Sequence, residues 1–103
     1  LNIDSFAIGP NPYSPVAGNT YIQYFLSDDA EVDLSVYSIS GYRVYSSQFS
    51  GGTQGGQSGT NIVDWNGRMS NGSYVANGLY IVMLSARSAK GTAMKKGRLA
   101  VLQ

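Results

Sequence analysis

The stretch "WNGRMSNGSYVANGLYIV", residues 65–82, decides how this chain folds. It contains three Asn-Gly pairs, and Asn-Gly is the strongest short turn signal because both residues tolerate positive φ. Apolar alternation precedes and follows these turns, so we expect one strand to end at Trp65 and another to begin at Gly78. The two strands should lie in different sheets, with 66–77 crossing between them and Val75 tucked inward. The expected turn residues are Asn66, Gly67, Asn71, Gly72, Asn77 and Gly78.

The rest of the chain repeats this strand pattern. Short runs rich in Val, Ile, Tyr and Thr are separated by clusters of Gly, Asn, Ser and Pro, and no segment shows a sustained helical period. An all-β fold follows, an immunoglobulin-like antiparallel β-sandwich of about seven strands, with a small barrel as the alternative. The predicted strands are 3–8, 19–27, 31–38, 42–49, 60–65, 78–87 and 93–102.

Alternation also predicts which residues fill the core, since the apolar face of a half-buried strand turns inward. The expected core residues are Ile22, Tyr24, Leu26, Val32, Leu34, Val36, Val63, Trp65, Tyr80, Val82 and Leu84.

Three connections carry further expectations. Asp28-Asp29 and Ser40-Gly41 each separate two predicted strands and favour tight hairpins. The segment 50–59, "SGGTQGGQSG", has five Gly and no apolar residue, which is typical of a mobile surface loop. No Lys lies in it and a strand follows it, so it does not match a phosphate-binding loop.

Composition narrows the function. The chain has no Cys and no His, which removes thiolate nucleophiles, imidazole bases, disulfides and metal sites built from thiolates or imidazoles. We expect no enzyme, no catalytic residue and no cofactor. A net charge of +1 gives no overall attraction to nucleic acid, and no apolar run is long enough to span a membrane. Four of the six acids lie in 27–33, where we expect a solvated turn rather than a metal site. Asn71 also begins a glycosylation sequon, although the turn accounts for the same residues.

The basic residues gather at the end of the chain. Five of the seven Lys and Arg lie in the last 17 residues, and no acid accompanies them. They either protect an exposed edge strand or form a surface that a partner recognises. The candidate partner-binding residues are Lys95, Lys96 and Arg98.

The eight tyrosines raise a different possibility. Flat aromatic side chains on the surface of a sandwich stack on sugar rings, so a carbohydrate-binding module stays open as a hypothesis. Tyrosine is also a favourable half-buried strand residue. The tyrosines expected to be partly exposed are Tyr21, Tyr37, Tyr42 or Tyr45, and Tyr74.

Four motifs in order resemble one family. They are "GPNPYSP" (9–15), "TYIQYFLSDDAEVDLSVYSISGYRV" (20–44), "VDWNGRMSNGSYVANGLYIVML" (63–84) and "MKKGRLAVLQ" (94–103). Together they resemble the immunoglobulin-like domain of flagellar hook-capping proteins and the C-terminal sorting domains of the type IX secretion system. The chain departs from that pattern at Asn66 and Met69, where the family usually has acids.

The resemblance implies a role without catalysis. Residues 1–103 would form a single sandwich domain at the C-terminus of a longer bacterial protein, exported by an upstream signal peptide to the cell surface or beyond. The domain would act in sorting, secretion or surface attachment, with the upstream domain and the secretion or attachment machinery as partners. A structural spacer or assembly domain and a carbohydrate-binding module of a multidomain enzyme are the alternatives.

Overall fold

The computed structural model describes residues 1–103 and contains seven strands, as predicted. A short 3₁₀ turn, Pro15–Ala17, lies between the first two strands. The strands are β1 (Ile3–Gly9), β2 (Thr20–Leu26), β3 (Glu31–Ser38), β4 (Arg43–Phe49), β5 (Gly59–Trp65), β6 (Gly78–Ser88) and β7 (Gly91–Val101).

The strands form two antiparallel sheets that pack as a sandwich. One sheet has the order β1-β2-β5 and the other has the order β4-β3-β6-β7. The chain changes sheet after β2, β4 and β5, as in immunoglobulin-like sandwiches. The prediction of a sandwich is therefore confirmed over the small barrel, and β5 and β6 lie in different sheets as expected.

One of the two predicted hairpins is wrong. Asp28 and Asp29 connect β2 to β3, and these strands belong to different sheets, so the connection is a crossover. Ala30, at the end of this crossover, is buried between the sheets and donates its N–H to the carbonyl of Gly56 at 2.9 Å. The hairpin at Ser40-Gly41 is confirmed, since it joins the paired strands β3 and β4.

The core lies between the sheets and contains all eleven residues that alternation indicated. Trp65 is at one end of it, with the ring of Tyr45 5.6 Å away and that of Tyr13 6.2 Å away. Tyr13, Leu99 and Val101 are also fully buried, and alternation alone did not single them out. The end of the basic strand is thus part of the core.

The crossing 66–77 is compact because its own backbone groups bond to one another. Val75 is buried and donates its N–H to the carbonyl of Gly67 at 2.9 Å. The indole N–H of Trp65 donates to the carbonyl of Arg68 at 3.0 Å. The third Asn-Gly pair differs from the other two, because Gly78 has a φ of 158°, which is close to extended backbone, and begins β6 directly.

The Gly-rich loop differs from the expected flexible linker. The side chain of Asn61, fully buried on β5, accepts a hydrogen bond from the N–H of Gly55 at 2.9 Å and donates to the carbonyl of Gln57 at 2.8 Å. The hydroxyl of Tyr24 donates to the carbonyl of Gly55 at 2.6 Å. The loop is therefore fastened to the core by side chains that the loop's own sequence does not contain.

Candidate docking surface on the last strand

Strand β7 forms one edge of the four-stranded sheet and carries the three candidate partner-binding residues. Lys95 pairs with Leu84, which faces the core, while Lys96 and Arg98 pair with Met83 and Ile81 on the outer face. Since side chains alternate between faces, Lys95, Lys96 and Arg98 do not form a single row. Lys96 and Arg98 share the outer face, and Lys95 lies on the opposite face with its side chain exposed.

The five basic residues near the chain end are also not equivalent. Arg87 pairs with Asp33 at 3.6 Å, and Lys90 pairs with Asp28 at 2.9 Å. These are the two ion pairs of the structure, so Lys95, Lys96 and Arg98 have no acidic partner. Of the five basic residues near the chain end, the three on β7 are therefore the ones whose charge is uncompensated.

The outer edge of β7 is covered over its last residues by the segment that follows β1. The amide of Asn11 accepts from the N–H of Ala100 at 3.0 Å and donates to the carbonyl of Arg98 at 2.9 Å. Tyr13 donates its N–H to the carbonyl of Ala100 at 2.8 Å and accepts from the N–H of Leu102 at 2.9 Å. Residues 98–101 therefore pair with β6 on one side and are covered by segment 11–13 on the other.

Tyr13 is held in place by its buried ring. Its hydroxyl donates to the carbonyls of Gly18 at 2.8 Å and Trp65 at 3.2 Å. Burial raises the pKa of the Tyr13 phenol above its usual value, with a smaller contribution from Tyr74. The motif "GPNPYSP" contained this residue, but nothing in its spacing indicated that the segment pairs with the last strand.

The acidic cluster is divided among separate partners. The carboxylate of Asp29 accepts from the N–H of Ser58 at 2.7 Å, and that of Glu31 accepts from the N–H of Gly51. Lys90 holds the pKa of the Asp28 carboxyl below its usual value by donating a hydrogen bond. No group of three or more acids is close enough to hold a metal ion.

A shallow concavity of about 360 Å³ lies on the outer face of the four-stranded sheet. Tyr37 is half-buried in it, and Tyr74 lies elsewhere, with the guanidinium of Arg68 4.1 Å from the centre of its ring. The polar side chains that line the concavity are Asp33, Ser35, Arg43, Ser46, Ser47, Gln48 and Ser85. The structure thus brings one of the candidate tyrosines together with hydroxyl, amide and charged groups.

No family model and no curated protein sequence matches the chain, and no helix of the structure is long and apolar enough to cross a membrane. Solved structures do match. The chain is similar to part of PorZ, an essential surface component of the type IX secretion system of Porphyromonas gingivalis, with 25% identity, a TM-score of 0.62 and 97% of the chain covered. It is also similar to part of dimeric latent PorU from the same organism, with 18% identity, a TM-score of 0.73 and 94% covered.

A third similar structure is FlgD from P. aeruginosa, with 16% identity, a TM-score of 0.70, and coverage of 94% of this chain and 69% of that one. The chain spans only 12% of the length of PorZ and 9% of the length of PorU. These neighbours match the resemblance to hook-capping and type IX secretion domains that the four motifs carried. At 18% and 16% identity, the similarity to PorU and FlgD shows the fold alone.

Proposed function

We propose that this chain is a non-catalytic docking module of an exported bacterial protein, acting in sorting, secretion or surface attachment. As such it would be the C-terminal domain of that protein, reaching the cell surface with the upstream domain. The likeness to part of a type IX secretion component supports this role, because that component works at the bacterial surface. The fold itself does not determine the role, since sandwiches of this kind serve many functions.

The observation that carries the proposal is the uncompensated charge of β7. Lys95, Lys96 and Arg98 are exposed and unpaired, whereas Arg87 and Lys90, a few residues away, are each paired with an acid. Unpaired charges at a rim raise the association rate with a partner of opposite charge.

A charge substitution in the full-length parent protein tests the proposal better than truncation. Deletion of 98–103 would remove Leu99 and Val101 from the core and unfold the domain. We expect the triple variant Lys95→Ser, Lys96→Ser and Arg98→Ser to accumulate inside the cell, because all three side chains are exposed and the fold is retained. The secreted and retained fractions of the protein are measured by immunoblotting.

The matched control removes three other exposed positive charges, with the changes Arg43→Ser, Arg87→Ser and Lys90→Ser. It should be exported at close to the normal level. Equal export of the two triple variants and the parent would overturn the proposal. Equal retention of both would mean that total charge, and not β7, determines export.

Carbohydrate binding is the second candidate, and the concavity around Tyr37 favours it. Hydroxyl and amide side chains beside a half-buried aromatic ring offer the hydrogen bonds and the stacking surface that a sugar needs. Binding to a glycan array should be lost in Tyr37→Ala and kept in Tyr42→Ala, since Tyr42 is exposed outside the concavity. An array on which the unchanged domain binds nothing would remove this candidate.

A further inference from the structure

The first half of β7 has a free backbone edge. Backbone groups of alternate residues in an antiparallel strand point to the same side. Arg98 and Ala100 use their outward groups to bond Asn11 and Tyr13, so Thr92, Met94 and Lys96 point theirs to the same side. No hydrogen bond from outside the sheet reaches the backbone of these three residues. Between Thr92 and Gly97 the outer edge is therefore unpaired.

The other outer edges of the two sheets are interrupted. On β4, the carbonyl of Val44 accepts from the N–H of Ser70 at 3.2 Å. On β5, the carbonyl of Ile62 accepts from the side-chain amide of Gln54 at 2.8 Å. On β1, a register shift follows Asp4, and Ser5 has a φ of 54°. Each of these devices discourages the addition of another strand. The first half of β7 has none of these interruptions, and its protection is the charge of Lys95 and Lys96, which repels a strand of like charge but not an acidic one.

We propose that residues 92–97 of β7 accept an extended acidic segment of a partner protein as an additional strand. The inference rests on the proposed docking function and names the surface and the chemistry of the partner. Main-chain hydrogen bonds to Thr92, Met94 and Lys96 supply affinity, and acidic side chains opposite Lys95 and Lys96 supply specificity. Because Lys95 and Lys96 lie on opposite faces, the fitting segment carries acids on both of its faces.

Charge decides between a foreign partner and a second copy of this chain. Pairing of two β7 edges would bring Lys95 and Lys96 of each copy next to the same residues of the other copy. Like charges directly opposite each other destabilise a strand pair. No acid of this chain lies on β7 to offset them. An acidic segment meets no such repulsion.

The segment around Tyr13 determines where the added strand stops. Tyr13 already forms a parallel bridge with Val101, so this edge does accept backbone from outside the sheet. Asn11 occupies the carbonyl of Arg98, which leaves six residues of open edge, or roughly 20 Å at strand spacing. The partner segment is therefore short.

The test uses a proline at an outward position. Met94→Pro removes an N–H that points away from β6, so the sheet keeps its ladder while the open edge loses a donor. Met94→Val keeps that donor and is the matched control. The probes are a seven-residue peptide of alternating Glu and Asp and its counterpart of alternating Lys and Arg. Binding is followed by NMR of the isotope-labelled chain, with the circular dichroism spectrum of each variant as a check of folding.

We expect the acidic peptide to shift the amide signals of 92–97 and to bind at least about ten-fold more tightly than the basic one at low salt. Met94→Pro should lower its affinity by about ten-fold while Met94→Val leaves it unchanged. Shifts centred on Arg43 and Tyr37, or equal affinity in the two Met94 variants, would overturn the inference. Concentration-dependent dimerisation through β7 without peptide would also overturn it, in favour of a second copy.

Failure here is distinguishable from failure of the proposed function. If Met94→Pro binds and is exported like the unchanged protein while the triple charge variant is retained, docking acts through charge without strand addition. If the triple variant is exported normally, the docking function itself is wrong, whatever the peptide does.

Discussion

Gly67 shows at the scale of one residue why the crossing 66–77 has its sequence. Its φ is 74°, a value that other residues adopt only with strain. A Cβ atom at this position would lie 2.6 Å from both Cβ and Cγ of Pro15, which is well inside van der Waals contact. Gly72, the second Asn-Gly glycine, has a φ of 91° and nothing within 4 Å of such an atom. The two glycines thus share a backbone requirement but differ in the space around them.

This difference gives a matched pair of substitutions. Gly72→Ala should cost about 1 kcal/mol in free energy of unfolding, because it introduces backbone strain alone. Gly67→Ala should cost about 2–4 kcal/mol, because the same strain is joined by the clash with the rigid Pro15 ring. Urea unfolding of both variants measures the difference. Equal losses would show that Pro15 moves aside freely, and the packing of the crossing against the 3₁₀ turn would then not matter.

The Gly-rich loop shows at the scale of an element how composition misleads. Glycines and serines favour flexible linkers because such a segment buries little apolar surface. Here the ordering comes from β5 and β2, through the buried amide of Asn61 and the hydroxyl of Tyr24. Because glycine has no side chain, the backbone of the loop can lie close to the neighbouring strands. The carbonyl of Gly56 can therefore accept a hydrogen bond from the N–H of Ala30.

Removal of the Asn61 side chain should release the loop. Asn61→Ala leaves the N–H of Gly55 and the carbonyl of Gln57 without partners, and we expect a loss of about 2 kcal/mol or more in free energy of unfolding. Amide hydrogen exchange at Gly55 and Gln57 should accelerate strongly in this variant. Thr60→Ala, at an exposed neighbouring position, is the control and should change neither quantity. Amides of the loop that already exchange freely in the unchanged protein would restore the interpretation as a mobile linker.

At the scale of the whole molecule, the local sequence pattern predicted the strands and much of the core. Contacts between residues distant in the sequence could not be predicted from it. Alternation is a property of each strand alone, so residues such as Leu34 and Val82 could be placed inside without knowledge of their neighbours. Whether Asp28-Asp29 makes a hairpin depends on which strands pair, and Asn11 meets Ala100 only after the fold has formed. The sequence therefore predicted a basic last strand but not that half of its edge is occupied.

Three buried tyrosines should make the whole sandwich less stable at alkaline pH. Burial raises the pKa of Tyr13, Tyr24 and Tyr80 above the usual value, most strongly for Tyr24. Each hydroxyl donates to a backbone carbonyl, and Tyr80 reaches that of Ala76 at 2.7 Å. Ionisation would remove the donor and leave a buried phenolate beside a carbonyl oxygen.

Because the folded-state pKa lies above the unfolded one, this contribution to stability is complete below pH about 10 and is lost as the pH rises further. We expect Tyr13, Tyr24 and Tyr80 to ionise only together with unfolding. Ultraviolet absorbance reports tyrosinate and circular dichroism reports the fold. In Tyr24→Phe the unfolding free energy at neutral pH should be lower, since the bond to Gly55 is gone, but its further decline with pH should be smaller. Tyr42→Phe, which removes an exposed hydroxyl, should reproduce the decline of the unchanged protein. Ionisation of Tyr13, Tyr24 and Tyr80 while the sandwich is still folded would contradict the prediction.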